Sequence, residues 1–204
     1  MTMLEFFFDL SSPWTYLGFT NVQPLVERTG ARLVLRPILV GGVFNAVNQD
    51  LYKQRENMDS PRMRHNAKAL KDWAAFTGVT MNFPSAYHPA KSIHAMRMAT
   101  ALETDQPALQ RFAKAAFEAY FGRAENLDDP DVLVAAANAA GLDGAAIRAS
   151  SVTDEIKTRL RANTDEVIAR GGFGSPTLFV DGDDMYFGND QLPLVELALK
   201  RRKG

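Results

Sequence analysis

The chain has 204 residues, 46% of them hydrophobic, and 23 basic against 24 acidic side chains give a formal net charge of −1. That composition supports a sizeable core in one compact domain, or in one domain carrying a large insertion. The balanced charge argues against nucleic acid as a partner, and the one basic cluster, Lys200 to Lys203, reads as a solvated tail. There is no cysteine, which excludes disulfides, thiolate metal sites and any sulfur nucleophile of the chain's own; sulfur chemistry here needs a thiol that arrives with a ligand. No basic segment precedes the N-terminal apolar run, which carries Glu5 and Asp9, and no stretch approaches the roughly 20 apolar residues that span a bilayer. A soluble, cytoplasmic protein without a membrane partner is expected.

In chain order, residues 3 to 9 (MLEFFFD) read as a buried strand, aromatic-rich and ending abruptly on a polar residue. Residues 13 to 28 read as a helix, with Ser12 suited to the N-cap, Pro13 to the first helical position and Gly30 to the exit. "ARLVLRPILV" gives a second strand, Leu33, Leu35 and Ile38 facing inward and Pro37 interrupting it. Gly41-Gly42 is a turn signal that opens a polar stretch out to about residue 60; no Gly-Lys-Ser/Thr follows it, so it is no phosphate loop. Ser60-Pro61 repeats the cap signature, and a helix runs through Trp73 and Phe76 to Gly78. A loop, "NFPSAYHPA", follows. Further helices are expected at about 91 to 103, 106 to 121, 130 to 140, 143 to 150 and 153 to 170. "SPTLFVDGDDMYFGND" reads as strand, Asp-Gly turn and strand, and "QLPLVELALKRR" as a closing helix. A two-stranded hairpin is marginal alone, so the two ends of the chain are expected to join in one four-stranded sheet with helices on its faces, the helical block lying between them in sequence.

Three stretches carry candidate chemistry. In "FFFDLSSPWTYLGF", Ser12 and Thr15 stand at a strand-to-helix junction where thioredoxin-type redox proteins place Cys-x-x-Cys. They could be helix caps alone. A hydroxyl at a helix N-terminus could instead donate to a bound anion, which the helix dipole and free N–H groups also favour; a ligand's thiolate is such an anion. In Gly174-Ser175-Pro176-Thr177, Pro176 is either an ordinary proline opening a strand or the second residue of a cis bond that turns the backbone of Ser175 toward a ligand. In Phe187-Gly188-Asn189-Asp190, the polar pair suits the N-cap of the last helix, or adds a second anion site and an acid able to hold an ammonium. A ligand with a thiol, a peptide backbone, a carboxylate and an amine would use all three places, and glutathione fits. His65, His88 and His94 form no metal-ligand spacing, so no metal is expected.

"FFFDLSSPWTYLG" resembles the N-terminal signature of 2-hydroxychromene-2-carboxylate isomerases and kappa-class glutathione transferases. "RPILVGGVFNAVNQ", "LKDWAAFTGV" and "GGFGSPTLFVDGDDMYFGND" are similar to further segments of that family, in the expected order along nearly the whole chain. The resemblance implies an α/β, DsbA-like thioredoxin fold with a large all-α insertion: residues 1–44 and 169–204 as the thioredoxin-like domain, 45–168 as the helical insertion, and a homodimer as the assembly. It implies that Ser12 contacts the sulfur of bound glutathione, that Ser175, before a cis Pro176, pairs with its backbone, and that Asn189 and Asp190 hold its γ-glutamyl end. Asn48 matches a family asparagine near the site. Glutathione would be a cofactor for isomerisation of a small aromatic substrate.

The chain departs from many isomerases at Asn45, where they have Lys, and at Lys91, where they have Asn. The departure puts the particular aromatic substrate in doubt, and Lys91 could replace the missing lysine in space. Two other readings stand beside the isomerase. A kappa-like transferase would use the same thiolate to conjugate an electrophile. A thioredoxin-fold binding module would use Ser12 and Thr15 as caps only.

Overall fold

The structure, a computed structural model, describes residues 2–49 and 59–202. Positions 50–58 of the expected polar stretch and Lys203 of the basic tail lie outside the described residues. The strands are β1 (Met3–Phe8), β2 (Arg32–Pro37), β3 (Thr177–Val180) and β4 (Asp184–Phe187). They form one four-stranded sheet in the order β2-β1-β3-β4. β1 runs parallel to β2, with Phe6 opposite Leu35, and antiparallel to β3, with Phe6 opposite Leu178; β4 closes the antiparallel edge. The two ends of the chain thus complete one sheet, as the marginal stability of an isolated hairpin requires.

β1 is buried on both faces, which is why its sequence is apolar at every position but Glu5 instead of alternating. Phe6 and Phe8 are fully buried on one side, in a core that takes in Phe19 and Val22 of α1 (Pro13–Thr29) and Val195 of α9 (Leu192–Arg201). The same core continues into α4 (Ile93–Ala101), α5 (Gln106–Phe117), α6 (Pro130–Ala139) and α7 (Gly144–Ser151) through Met96, Phe112, Leu133 and Ile147. Tyr16 of α1 stacks on Phe117 and Phe121, with ring centroids 5.2 and 5.7 Å away. On the other face, Phe7 and Phe179 pack with Ile38, Val43 and Val167, under α2 (Val40–Val47) and α8 (Asp154–Ala169). α3 (Pro61–Thr77) lies against α1 through Leu17, Leu70 and Ala74.

Local signals were obeyed where the chain is locally determined. Ser12 and Ser60 cap their helices with Pro at the start, and Gly30 and Gly78 end them in the left-handed region. The segment after Gly41-Gly42 differs from the expected turn and polar stretch: residues 40 to 47 form helix α2. Two tertiary contacts account for it. The buried Asp9 carboxylate accepts the first helical N–H, that of Val40, at 2.8 Å. A Cβ on Gly42 would lie only 3.2 Å from Thr164 of α8, so the glycine lets the two helices approach. The helix expected over 106 to 121 is α-helical to Phe117 and π-helical over Glu118–Gly122.

A charged cluster joins β1 and β2 to α8. Arg36 lies in ion-pair range of Glu5 (3.5 Å) and Glu103 (3.2 Å) and bonds Glu166. Its Nε faces Glu103 off hydrogen-bond alignment. Arg170 pairs with Glu5 at 2.6 Å and Glu166 at 2.9 Å, and its guanidinium carbon lies 3.7 Å from the Phe179 ring centroid.

Candidate functional site

The end of β1 and the start of α1 meet at Ser12. Its backbone is extended (φ −93, ψ 119), and its Oγ accepts the Thr15 N–H at 3.2 Å. No acidic side chain lies in the first turn of α1, so nothing there competes with a bound anion for the positive end of the helix. The Ser12 hydroxyl donates to the Ser175 carbonyl at 3.2 Å. That is long for an O–H···O bond, and an anionic acceptor beside Ser12 would hold the proton more strongly.

Ser175 is itself buried, and its bond to Pro176 is cis. Its Oγ accepts the Asp9 N–H at 2.9 Å and lies 2.7 Å from Thr15 Oγ1. The two positions where a redox protein of this type would carry sulfur therefore hold hydroxyls with different surroundings. Ser12 is partly exposed, whereas Thr15 is fully buried against Ser175. Pro176 packs on α1 at Gly18, where a Cβ would stand 3.1 Å from the proline ring.

The Gly188-to-Asp190 turn is fastened to the same place, since Gly188 N–H donates to the Pro176 carbonyl at 3.1 Å. Gly188 has φ 94, and a Cβ there would lie 2.7 Å from an Asp190 carboxylate oxygen; glycine answers both demands. Neither Asn189 nor Asp190 caps α9. They form a 3-10 turn, and Gln191 occupies the N-cap without a side-chain bond. Asp190 is exposed. Asn189 is 2% exposed and turned inward, its Oδ1 accepting from Asn21 Nδ2 at 2.8 Å, while Asn21 also donates to Thr77 Oγ1 of α3. The Asn189 Nδ2 group is buried with no partner among the described residues. Asn48, at the C-terminus of α2, donates to the Phe173 carbonyl at 3.1 Å, two residues before Ser175.

Ser12 thus meets Ser175 directly, Pro176 packs further along α1 at Gly18, and the turn holding Asn189 and Asp190 is bonded to Pro176. Asn48 reaches the segment that leads into Ser175. Asn45 and Lys91 are exposed on two elements, α2 and the start of α4. Both elements begin at one carboxylate: Val40 N–H of α2 and the Ser92 hydroxyl before α4 both donate to Asp9 Oδ2.

Asp9 is the residue that sequence reasoning passed over as a strand end. It is fully buried, and burial pushes its carboxyl above the usual carboxylate range while bonds from Ser11, Val40 and Ser92 oppose the rise. Its signal in the sequence was a lone acid closing an apolar strand three residues before Ser12. Ser92, with φ 56 and its N–H on the Asp128 carboxylate at 3.0 Å, and Asn21 gave no comparable signal.

The chain is 28% identical over 196 residues to a 2-hydroxychromene-2-carboxylate isomerase of Sphingobium xenophagum, covering 96% of this chain and 97% of that one. It is also 28% identical over 210 residues to the glutathione S-transferase kappa 1 of Rattus norvegicus, covering 97% and 90%. A solved structure of a 2-hydroxychromene-2-carboxylate isomerase superposes with a TM-score of 0.78 at 24% identity, over 98% of this chain and 95% of that one, and shows the same fold. A family model aligns from residue 3 to residue 200, and with the four-stranded sheet and the Ser175–Pro176 cis bond beside the start of α1, the chain belongs to the DSBA-like thioredoxin domain family.

Proposed function

We propose that this chain is a glutathione-dependent isomerase of the 2-hydroxychromene-2-carboxylate type, acting on a small aromatic substrate. The observation that carries the reading is the Ser12 hydroxyl at the positive end of α1, with no acid in the first turn and Ser175 on the neighbouring segment. The surrounding groups fit glutathione: a hydroxyl donor for the sulfur, the backbone of Ser175 beside a cis proline for the peptide, an exposed Asp190 for the ammonium, and a buried Asn189 amide lacking an acceptor among the described residues. Glutathione, when bound, would supply the thiolate that adds reversibly to the conjugated system of the substrate. Ser12 would hold the sulfur as its anion by turning its hydroxyl from the Ser175 carbonyl. Asn48 would fix the approach to Ser175 through the Phe173 carbonyl. Lys91 would meet the substrate carboxylate from the start of α4, in place of a lysine at Asn45. A cytoplasmic homodimer, with residues 45–168 as an insertion in the thioredoxin-like unit, belongs to the same reading.

A kappa-like transferase is the second reading, favoured by the rat kappa relative, which matches at the same 28% identity. The same thiolate serves both, and the two differ in whether glutathione is returned or consumed.

The test is a glutathione titration followed by calorimetry and by ultraviolet thiolate absorbance, with Ser12→Ala alongside. Saturable binding and a thiolate signal lost in Ser12→Ala are expected. Binding with no thiolate signal, or no binding, would sink both enzyme readings and leave the binding module. With 2-hydroxychromene-2-carboxylate, glutathione recovered in full after turnover supports the isomerase, and consumed glutathione supports the transferase.

A further inference from the structure

The Asp9 carboxylate sits where three chain segments converge on the start of α1. Its Oδ1 accepts the Ser11 N–H at 2.9 Å and the Ser11 hydroxyl at 2.8 Å; its Oδ2 accepts the Val40 N–H at 2.8 Å and the Ser92 hydroxyl at 3.1 Å. The Asp9 backbone N–H donates to Ser175 Oγ, which in turn meets Thr15 Oγ1. Each carboxylate oxygen faces a backbone N–H, a group that can only donate. An amide at this position would aim its own N–H at one of them, so the site is built for a carboxyl group. The two hydroxyls can donate or accept, and the site therefore takes the acid in either protonation state.

Among the described residues no cation pairs with it. α2 carries no titratable side chain. From the α4 side the nearby ionisable groups are Asp128, which accepts the Lys91 and Ser92 N–H groups, the exposed Lys91, and Tyr120, whose hydroxyl meets His88. A fully buried carboxylate without a counter-charge is expensive, and hydrogen bonds from the converging segments offset that cost.

We infer that Asp9 is a positioning residue for the anion-binding end of α1, its carboxylate holding the Ser11–Ser12 turn, the first turn of α2 and the start of α4 in the arrangement that aims Ser12. This deepens the thiol-site reading above and rests on it for the identity of the ligand, while the positioning itself can be read without glutathione. Ser12→Cys puts a thiol at the helix N-terminus, and its ultraviolet thiolate absorbance against pH reports how well that end of the helix favours an anion.

Adding Asp9→Asn to Ser12→Cys is expected to raise the thiol midpoint by about half a pH unit or more. In the Ser12 protein, Asp9→Asn is expected to weaken glutathione binding about tenfold. A lower melting temperature with an unmoved thiol midpoint would reduce Asp9 to a structural link and overturn the inference. A lower midpoint would overturn it too, because the charge of Asp9, not its hold, would then be what the site feels. Ser92→Ala cuts only the arm to α4 and keeps both backbone contacts. It should raise the midpoint by a smaller amount, and an unmoved midpoint in it is decisive against the inference if Asp9→Asn does not fold. Unmodified protein that ignores glutathione sinks the proposed function, yet leaves the Ser12→Cys comparison able to decide the role of Asp9.

Discussion

Replacing Arg170 with Met should destabilise the protein by about 3–5 kcal/mol, and the size of that loss follows from what the guanidinium touches. One nitrogen lies 2.6 Å from Glu5 Oε2 and 2.7 Å from the Gly182 carbonyl, and the other 2.9 Å from Glu166. The Glu5 side chain is 7% exposed, so removing its partner strands a buried carboxylate, which typically costs about 3–5 kcal/mol. Arg36, at 3.5 Å, still faces Glu5 and holds the loss toward the lower end. The contact over Phe179 adds about 1 kcal/mol, and the more exposed Glu166 pair adds less. Met keeps the packing of the aliphatic stem, so the change isolates charge. Urea denaturation and calorimetry of Arg170→Met, Glu5→Gln and the double variant make the test, with the melting temperature of the single Arg variant expected to fall by roughly 10 °C. The double variant should recover at least about 2 kcal/mol relative to the sum of the singles, because no unpaired buried charge remains. A loss below about 1 kcal/mol, or strict additivity, would refute the reasoning.

Glu196 of α9 bonds Arg28 of α1 and Lys200, and these partners pull its pKa down to about 2. A depressed carboxylate adds stability that is present above its unfolded pKa and is lost as pH falls through the folded value. Arg28 is 56% exposed, so solvent screens the pair and its contribution at neutral pH is small. Denaturation of the unmodified protein and Glu196→Gln should differ at pH 7, converge as the pH drops from about 4.5 toward 2, and converge also in high salt; a gap that persists in acid would contradict the assignment. Gly18→Ala gains about 1 kcal/mol of helix propensity but drives a Cβ to 3.1 Å from Pro176. Overpacking of this kind costs about 1–3 kcal/mol, so a net loss of roughly 1 kcal/mol is expected, together with weaker glutathione binding as Pro176 shifts; a stabilised variant with unchanged binding would dismiss the close-approach argument.

The N-terminal end of α1 was legible because it is written in adjacent residues. Ser12, Pro13 and the apolar run before them specify a strand, a cap and a helix through contacts a few positions apart, and the observed cap bond to Thr15 follows directly. The hairpin at Asp181-Gly182 and the left-handed exits at Gly30 and Gly78 are legible for the same reason. α2 was not, since its two glycines read as a turn until Thr164, more than a hundred positions later, packs against Gly42. The inward direction of Asn189 was equally hidden: a capping residue is the expected local use, and only the presence of Asn21 and Thr77 on two other helices turns it inside.

The sequence by itself determined the strands and most helices, the hydroxyls in place of sulfur at Ser12 and Thr15, and the need for the two chain ends to share a sheet. Those follow from side-chain periodicity, capping chemistry and composition, which act over a few residues or over the whole chain at once. The tertiary structure alone decided that Asp9 gathers Ser11, Val40 and Ser92, that Ser175 meets both Ser12 and Thr15, and that Arg170 reaches back to Glu5. Hydrogen bonds and buried ion pairs act over about 3 Å, so they depend on which distant segments the packed core brings together, and no local pattern records that.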